Sequence, residues 1–297
     1  MNKIIASFAG IVAAVTASFS LAQDMTKVEI KTTAVAGNVF MLQGAGGNIG
    51  LSVGPDGVLM VDDQFAPLSV KIKAAIAKLS TKPSRYLLNT HWHYDHTGGN
   101  AQFNNSDTVL VAHDNVRKRM LAGGVIKAFA KTVAPATEAE LPELTFDQGI
   151  SLYFNGEQIQ AQHMSAAHTD GDAVVYFKGA NVVHMGDLYF NGIFPFVDLS
   201  SGGSVDGVLA GVNKALLAMD ANTKVIPGHG ALSNKAELQS YAAMLVESLR
   251  LVGAQKQLGN SLQQVQANNP LQELALVWGK GFISVASWTE FVYKSLP

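Results

Sequence analysis

Three histidines and an aspartate fall within six residues, at His91, His93, Asp95 and His96 in the run THWHYDHTGG, although the chain has only 8 histidines. Imidazole and carboxylate are ligands for zinc and similar borderline cations. A helix would align only positions i and i+4. The i, i+2, i+4, i+5 spacing therefore asks for a short irregular segment that turns all four side chains toward one region. Gly98 and Gly99 let the chain turn tightly and begin a helix beneath that region. The absence of cysteine excludes disulfides, thiolate nucleophiles, iron–sulfur clusters and thiolate zinc ligands.

The cluster begins where a strand-like run, Arg85 to Leu88, ends. Upstream, KVEIKTTAV, NVFML, NIGLSV and GVLMV lie between Gly37, the Gly44–Gly47 cluster and Gly54-Pro55-Asp56-Gly57, and read as consecutive hairpin strands. Leu68, Ile72, Ala75, Ile76 and Leu79 have the spacing of one helical face. Thr108 to Ala112 reads as a strand, with a helix from about Asn115 and a Gly/Ala-rich, Pro-containing stretch through Pro142. Strand-like runs at 150–154, 158–162, 173–177 and 181–185 follow. They leave His168 in a turn and Asp187 just beyond a strand. Ser204 caps a helix with Val205, Val208, Leu209, Val212, Leu216 and Met219 on one face, and Lys224–Ile226 leads to His229 beyond another strand end. Asn234-Lys-Ala-Glu237 resembles a capping box for a helix through about Leu249, and the C-terminal hundred residues are otherwise mainly helical. Two β-rich halves, each with helices, predict a four-layer αββα sandwich.

The chain has 297 residues, 48% apolar and 15% charged, a composition that builds a sizeable core and argues against disorder. The formal charge is -2 and the longest basic run is Arg117-Lys118-Arg119, so the electrostatic footprint of a nucleic-acid binder is absent. Met-Asn-Lys, an uncharged run from Ile4 to Ala17, and Ser20-Leu21-Ala22 match a cleavable signal peptide over residues 1–22. The expected product is a periplasmic or secreted protein, residues 23–297, forming one domain with a helical C-terminal segment and no membrane anchor.

The motif His91-Trp92-His93-Tyr94-Asp95-His96 resembles the His-x-His-x-Asp-His signature of the metallo-β-lactamase superfamily. The similarity extends to His168 in HTDGD, Asp187 in HMGD and His229 in PGHG, and to Asp62 in VDDQ. The resemblance implies two zinc ions, or another divalent metal, per chain. His91, His93 and His168 would hold one, Asp95, His96 and His229 the other, with Asp187 bridging. Asp62 would orient a ligand imidazole or cap a turn. His113 reads as a helix cap or packing residue, and His163 and His184 as hydrogen-bonded residues on strands.

A dinuclear site without thiolates leaves positions for water, so the implied reaction is hydrolysis, a metal-bridging hydroxide attacking a carbonyl while Asp95 orients it and relays its proton. The partner is a small molecule with a hydrolysable carbonyl, a β-lactam amide being the leading specific reading. The alternative is a periplasmic thioesterase or lactonase; outside hydrolysis stands a non-catalytic metal-binding accessory protein of a periplasmic redox pathway. Against the lactamases of the dizinc subclass, His96 stands where they carry Arg, Asp187 where they carry Cys, and Phe190 where they carry Lys. Trp92, Phe190 and Phe194 are candidates for the substrate pocket, with Phe196 as a further apolar wall and the Gly44–Gly47 turn as a mobile lid.

Overall fold

The computed structural model describes residues 24–297 except Ser106; the expected signal peptide lies outside the described residues. Four strands, β1 (Lys31–Ala36), β2 (Val39–Gln43), β3 (Ile49–Gly54) and β4 (Gly57–Val61), form the expected antiparallel meander. Helix α1 (Ser69–Ala77) then leads to β5 (Ser84–Leu88), two short helices, α2 (Tyr94–Thr97) and α3 (Asn100–Phe103), β6 (Val109–His113) and α4 (Asp114–Ala122). The stretch through Pro142 folds in part as a separate ribbon of β7 (Gly124–Ile126) and β8 (Lys131–Val133). Beyond it β9 (Leu144–Phe146) joins β6, closing a 7-stranded sheet in which β4, β5, β6 and β9 run parallel.

The second, 6-stranded sheet contains β10 (Gly149–Phe154), β11 (Glu157–Met164), β12 (Asp172–Phe177) and β13 (Val182–His184). After α5 (Val205–Leu217) it gains β14 (Lys224–Ile226) and β15 (Ser233–Asn234). The chain finishes with α6 (Lys235–Gln257), α7 (Leu262–Asn268), α8 (Gln272–Trp278) and α9 (Val285–Ser295).

Strand alternation sorts the apolar side chains into layers. In β4, Val58 and Met60 pack with Leu68, Ile72 and Ile76 around α1, whereas Leu59 and Val61 face the other sheet. In β12, Ala173, Val175 and Phe177 meet them there, while Val174 and Tyr176 pack against Val208 and Val212 of α5, Tyr241 and Leu245 of α6 and Trp288 of α9. The result is the αββα sandwich, in which central strands such as β4 and β12 are buried along their whole length because both their faces are covered.

Ser204 caps α5 through Gly207 N, as its position implies. Asn234 caps α6 through Glu237 N, but Glu237 does not complete a capping box: its carboxylate accepts from Ser233 Oγ at 2.7 Å. The helix also runs on to Gln257 instead of stopping near Leu249, held by buried Val252 and by Lys256, whose ammonium donates to the carbonyls of Tyr293 and Leu296.

Candidate metal centre

The candidate residues follow the carboxyl ends of strands in both sheets. Asp62 follows β4, the His91–His96 cluster follows β5, His168 follows β11, Asp187 follows β13 and His229 follows β14. Open α/β sheets place their sites at this end. His91 and His93 face inward because the chain is still extended at His93 (φ -68, ψ 143) before α2 starts, and Trp92 between them points the other way. Close backbone approaches complete the assembly. A Cβ on Gly228 would stand 2.1 Å from Asp187 Oδ1, and one on Gly47 would stand 2.0 Å from the His96 ring.

The structure brings together all seven candidate ligands. His91 Nε2 and His168 Nε2 lie 3.0 and 2.9 Å from His93 Nδ1. Asp187 Oδ2 lies 3.8 Å from His91 Nε2 and 3.5 Å from His168 Nε2. On the other side, His96 Nε2 is 3.4 Å from His229 Nε2 and 3.0 Å from Asp187 Oδ1, and His229 Nε2 is 3.4 Å from both Asp95 Oδ2 and Asp187 Oδ2. Asp187 thus faces both groups.

The outer nitrogens decide what the inner ones can do. His91 Nδ1 donates to Thr90 Oγ1, whose own proton goes to Asp62. His93 Nε2 donates to Asp198, His168 Nδ1 to the Phe196 carbonyl and His96 Nδ1 to Asp62. With each outer N–H committed in this way, a neutral imidazole presents a lone pair inward. The lone pairs of His91 and His168, each within 3.0 Å of that of His93, repel it unless a cation stands between them. The separations are those of a coordination shell, since zinc–nitrogen bonds of about 2.0–2.1 Å set tetrahedral ligands roughly 3.3 Å apart. Asp187 Oδ1 is a buried oxygen without a hydrogen-bond donor, His96 standing outside hydrogen-bond geometry. Five imidazoles and two carboxylates with no sulfur suit a borderline divalent ion.

Electrostatics divide the centre. Burial pushes His168 down to about 4 and His91 well below its ordinary value, with His96 adding to the effect at His91, so both are neutral ligands at pH 7. For His96 and His229 burial acts in the same downward sense, but carboxylates outweigh it: Asp187, Asp62 and Asp95 hold His96 well above its ordinary value, and Asp187 and Asp95 bring His229 up to about 9. Burial alone would raise Asp95; His96 and His229 overcome it and bring the carboxyl down to about 2. In the bare protein, protons on these imidazoles supply the positive charge that a second cation would otherwise bring.

Asp62 orients His96 and, through Thr90, His91; it adopts positive φ (64), a strained conformation for a non-glycine residue. Sequence reasoning missed Asp198. Its carboxylate caps the turn at Leu199–Ser201 and meets His93 Nε2 at 3.0 Å, and although burial alone would raise it, His93, Ser200 and Ser201 hold it well below the usual carboxylate range. His113, an expected cap, accepts from Asn115 N through Nδ1. His163 bonds the Asp172 carbonyl, and buried His184 bonds the Asn48 carbonyl, bracing the segment whose amide carries Pro227 and Gly230.

A cavity of about 350 Å³ opens onto His93, Asp95, Asp187 and His229. Phe190 and Phe196 line it, Phe190 stacking on His229 at 5.0 Å. Trp92 does not. Its outward direction takes it into the core beside Val116 and Met120. Phe194 is also absent from the cavity, being fully buried and stacked on Trp288. The Gly44–Gly47 turn is no free-standing lid, because Gly47 N donates to Asp95 O and the turn packs on the ligand segment, leaving only Ala45 at the cavity. Sequence reasoning did not find the wall residues Phe65, Ile126, Phe129 and Phe282.

Residues 35–229 match the model of the metallo-β-lactamase superfamily, a span that ends on the last candidate ligand. The chain belongs to that superfamily. It is 29% identical over 167 residues, 54% of this chain and 74% of the other, to the probable metallo-hydrolase YqgX of Bacillus subtilis (strain 168). It is 25% identical over 141 residues, 47% of this chain and 40% of the other, to the 2,4-dinitroanisole O-demethylase subunit alpha of Nocardioides sp. (strain JS1661). Among solved structures, the fold is similar to the stereoselective inverting sec-alkylsulfatase Pisa1 of Pseudomonas sp. (TM-score 0.69, 15% identity), covering 89% of this chain but only 50% of that one. It is also similar to the DIM-1 metallo-β-lactamase (TM-score 0.58, 18% identity, 74% of this chain and 99% of that one). The protein is thus a metallo-β-lactamase-fold metallohydrolase with a His/Asp metal-binding group.

Proposed function

We propose that the protein is a zinc-dependent hydrolase of carbonyl compounds, cleaving an ester, thioester or lactone, with two metal ions per chain. The observation that supports it most is the pair of ligand groups, His91–His93–His168–Asp187 and Asp95–His96–His229, meeting at Asp187 on the floor of an open cavity. Bound there, the metal would supply an activated water at neutral pH and polarise the carbonyl under attack. The chain's own residues do the rest. Asp198, Asp62 and the Phe196 carbonyl hold the imidazoles in their ligating orientation. Asp95, ionised at neutral pH, accepts a proton on the carboxylate oxygen turned away from His96 and His229 and passes it to the leaving group. Phe190 and Phe196 exclude bulk water, and Phe190 fixes the plane of His229.

The open cavity argues against a purely structural metal site, which is coordinatively closed. A β-lactam amide is less favoured than an ester because, among the described residues, no lysine or arginine lines the cavity to meet the antibiotic's carboxylate. The test is hydrolysis of phenyl acetate, a thioester, a homoserine lactone and nitrocefin by zinc-loaded protein, with and without chelator. Chelator-sensitive turnover of an ester, thioester or lactone, faster than that of nitrocefin, is expected; turnover of none contradicts the reading. We also propose export, on the strength of residues 1–22; mass spectrometry of the protein from its native host should find Gln23 at the N-terminus. Among the described residues, no helix is long and apolar enough to cross a membrane.

A further inference from the structure

We infer that the substrate of this cavity is uncharged and carries an aromatic or similarly flat apolar group beside the scissile bond; this rests on the hydrolase reading and names the class of molecule it acts on. Five phenylalanines, Phe65, Phe129, Phe190, Phe196 and Phe282, line the cavity together with Tyr94. Four of the phenylalanines form a continuous wall. Phe196 meets Phe129 at 4.7 Å between centroids, Phe129 meets Phe282 at 6.4 Å, Phe282 meets Phe190 at 6.2 Å and Phe190 stacks on His229. Phe65 packs against Tyr94 at 5.7 Å. These separations leave ring faces and edges open for a further flat group.

The mouth is unusual in its exposure. Phe129 is 49% and Phe282 58% exposed, and they come from unrelated segments, one between β7 and β8 and one between α8 and α9. Two large apolar side chains converging in solvent above a metal-binding group are the signature of a surface that an apolar ligand covers.

Charge points the same way. The lining residues include two carboxylates, Asp95 and Asp187, and no lysine or arginine. The ammonium of Lys131 lies over the Tyr94 ring, 5.4 Å from the centroid, and is not among the lining residues. An anionic group in the apolar part of the cavity would lose water and find no fixed cation in return. A neutral aryl group loses little and gains the ring contacts.

A matched pair of esters tests this on the zinc-loaded full chain: phenyl acetate and 4-acetoxybenzenesulfonate, each normalised to its rate with hydroxide. Their unreactive amide counterparts, acetanilide and 4-acetamidobenzenesulfonate, are compared by calorimetry. The expected result is at least a thirtyfold advantage in kcat/KM for the neutral ester and tighter binding of the neutral amide. Phe282→Arg, at the exposed rim, should narrow the kinetic gap at least tenfold by raising turnover of the sulfonate. Equal or reversed preference in the wild-type protein, or an unchanged gap in Phe282→Arg, overturns the inference while leaving the hydrolase reading in place. Turnover of neither ester, with the calorimetric preference intact, sinks the hydrolase reading instead.

Discussion

Four imidazoles of the centre are aimed from behind by four different devices: a hydroxyl for His91, a cap carboxylate for His93, a carbonyl for His168 and a strained aspartate for His96. Groups in this position typically control metal affinity about 10–100-fold. Asp198→Ala should therefore weaken zinc binding by roughly that factor, read by chelator competition, with the loss falling on the ion held by His93. Unchanged affinity would mean that Asp198 serves only its turn. The grouping of the seven candidate ligands was legible in the sequence because a cation centre built from nitrogen and oxygen leaves a distinctive spacing, joined here to three matching motifs. Asp198 was not. In Asp198-Leu-Ser-Ser it reads as an ordinary turn cap, and 105 residues separate it from His93. Trp92 misled because nearness in sequence to two ligands says nothing about side-chain direction, which reverses at each extended residue.

At the scale of elements, turns pressed together beyond strand ends hold the centre, and they tolerate little added bulk. Gly228→Ala sets a methyl 2.1 Å from Asp187 Oδ1 and 2.6 Å from Gly186 O, with no flexible neighbour to yield. A stability loss of about 1–3 kcal/mol by denaturant unfolding is expected, together with reduced zinc uptake. The α4 cap carries a pH dependence. Burial, and then the stacked His163 ring 3.7 Å away, hold His113 below its ordinary value of 6.5, so the folded protein binds fewer protons there than the unfolded chain. That contribution to stability is fully present above about 6.5 and is lost as pH falls from there toward the lowered folded value. His113→Asn keeps a good cap and removes the titration. Its melting temperature should fall less than that of the wild type between pH 7.5 and 5.5; equal falls would show that His113 does not contribute.

For the molecule as a whole, period-two apolar strands and one-faced helices made the four-layer sandwich legible, and both sheets sit where alternation sends their side chains. The cavity wall was legible in part, at Phe190 and Phe196, but its exposed rim was not. Phe129 and Phe282 belong to connections whose positions depend on how α4, α8 and α9 dock, and local pattern carries no record of docking. Because the ligands come from both sheets, a bound metal ties the two together and should stabilise the entire fold. Zinc at a hundredfold excess over its dissociation constant contributes about 2.7 kcal/mol per site. Chelation should accordingly lower the melting temperature by at least about 5 °C for a domain of this size.

The most direct measurement is a calorimetric zinc titration of the metal-free protein beside His93→Ala and His229→Ala. Two equivalents per chain are expected in the wild type, with one high-affinity equivalent lost in each variant. A single equivalent in the wild type, or variants that bind as the wild type does, would contradict a centre in which Asp187 joins two ligand groups.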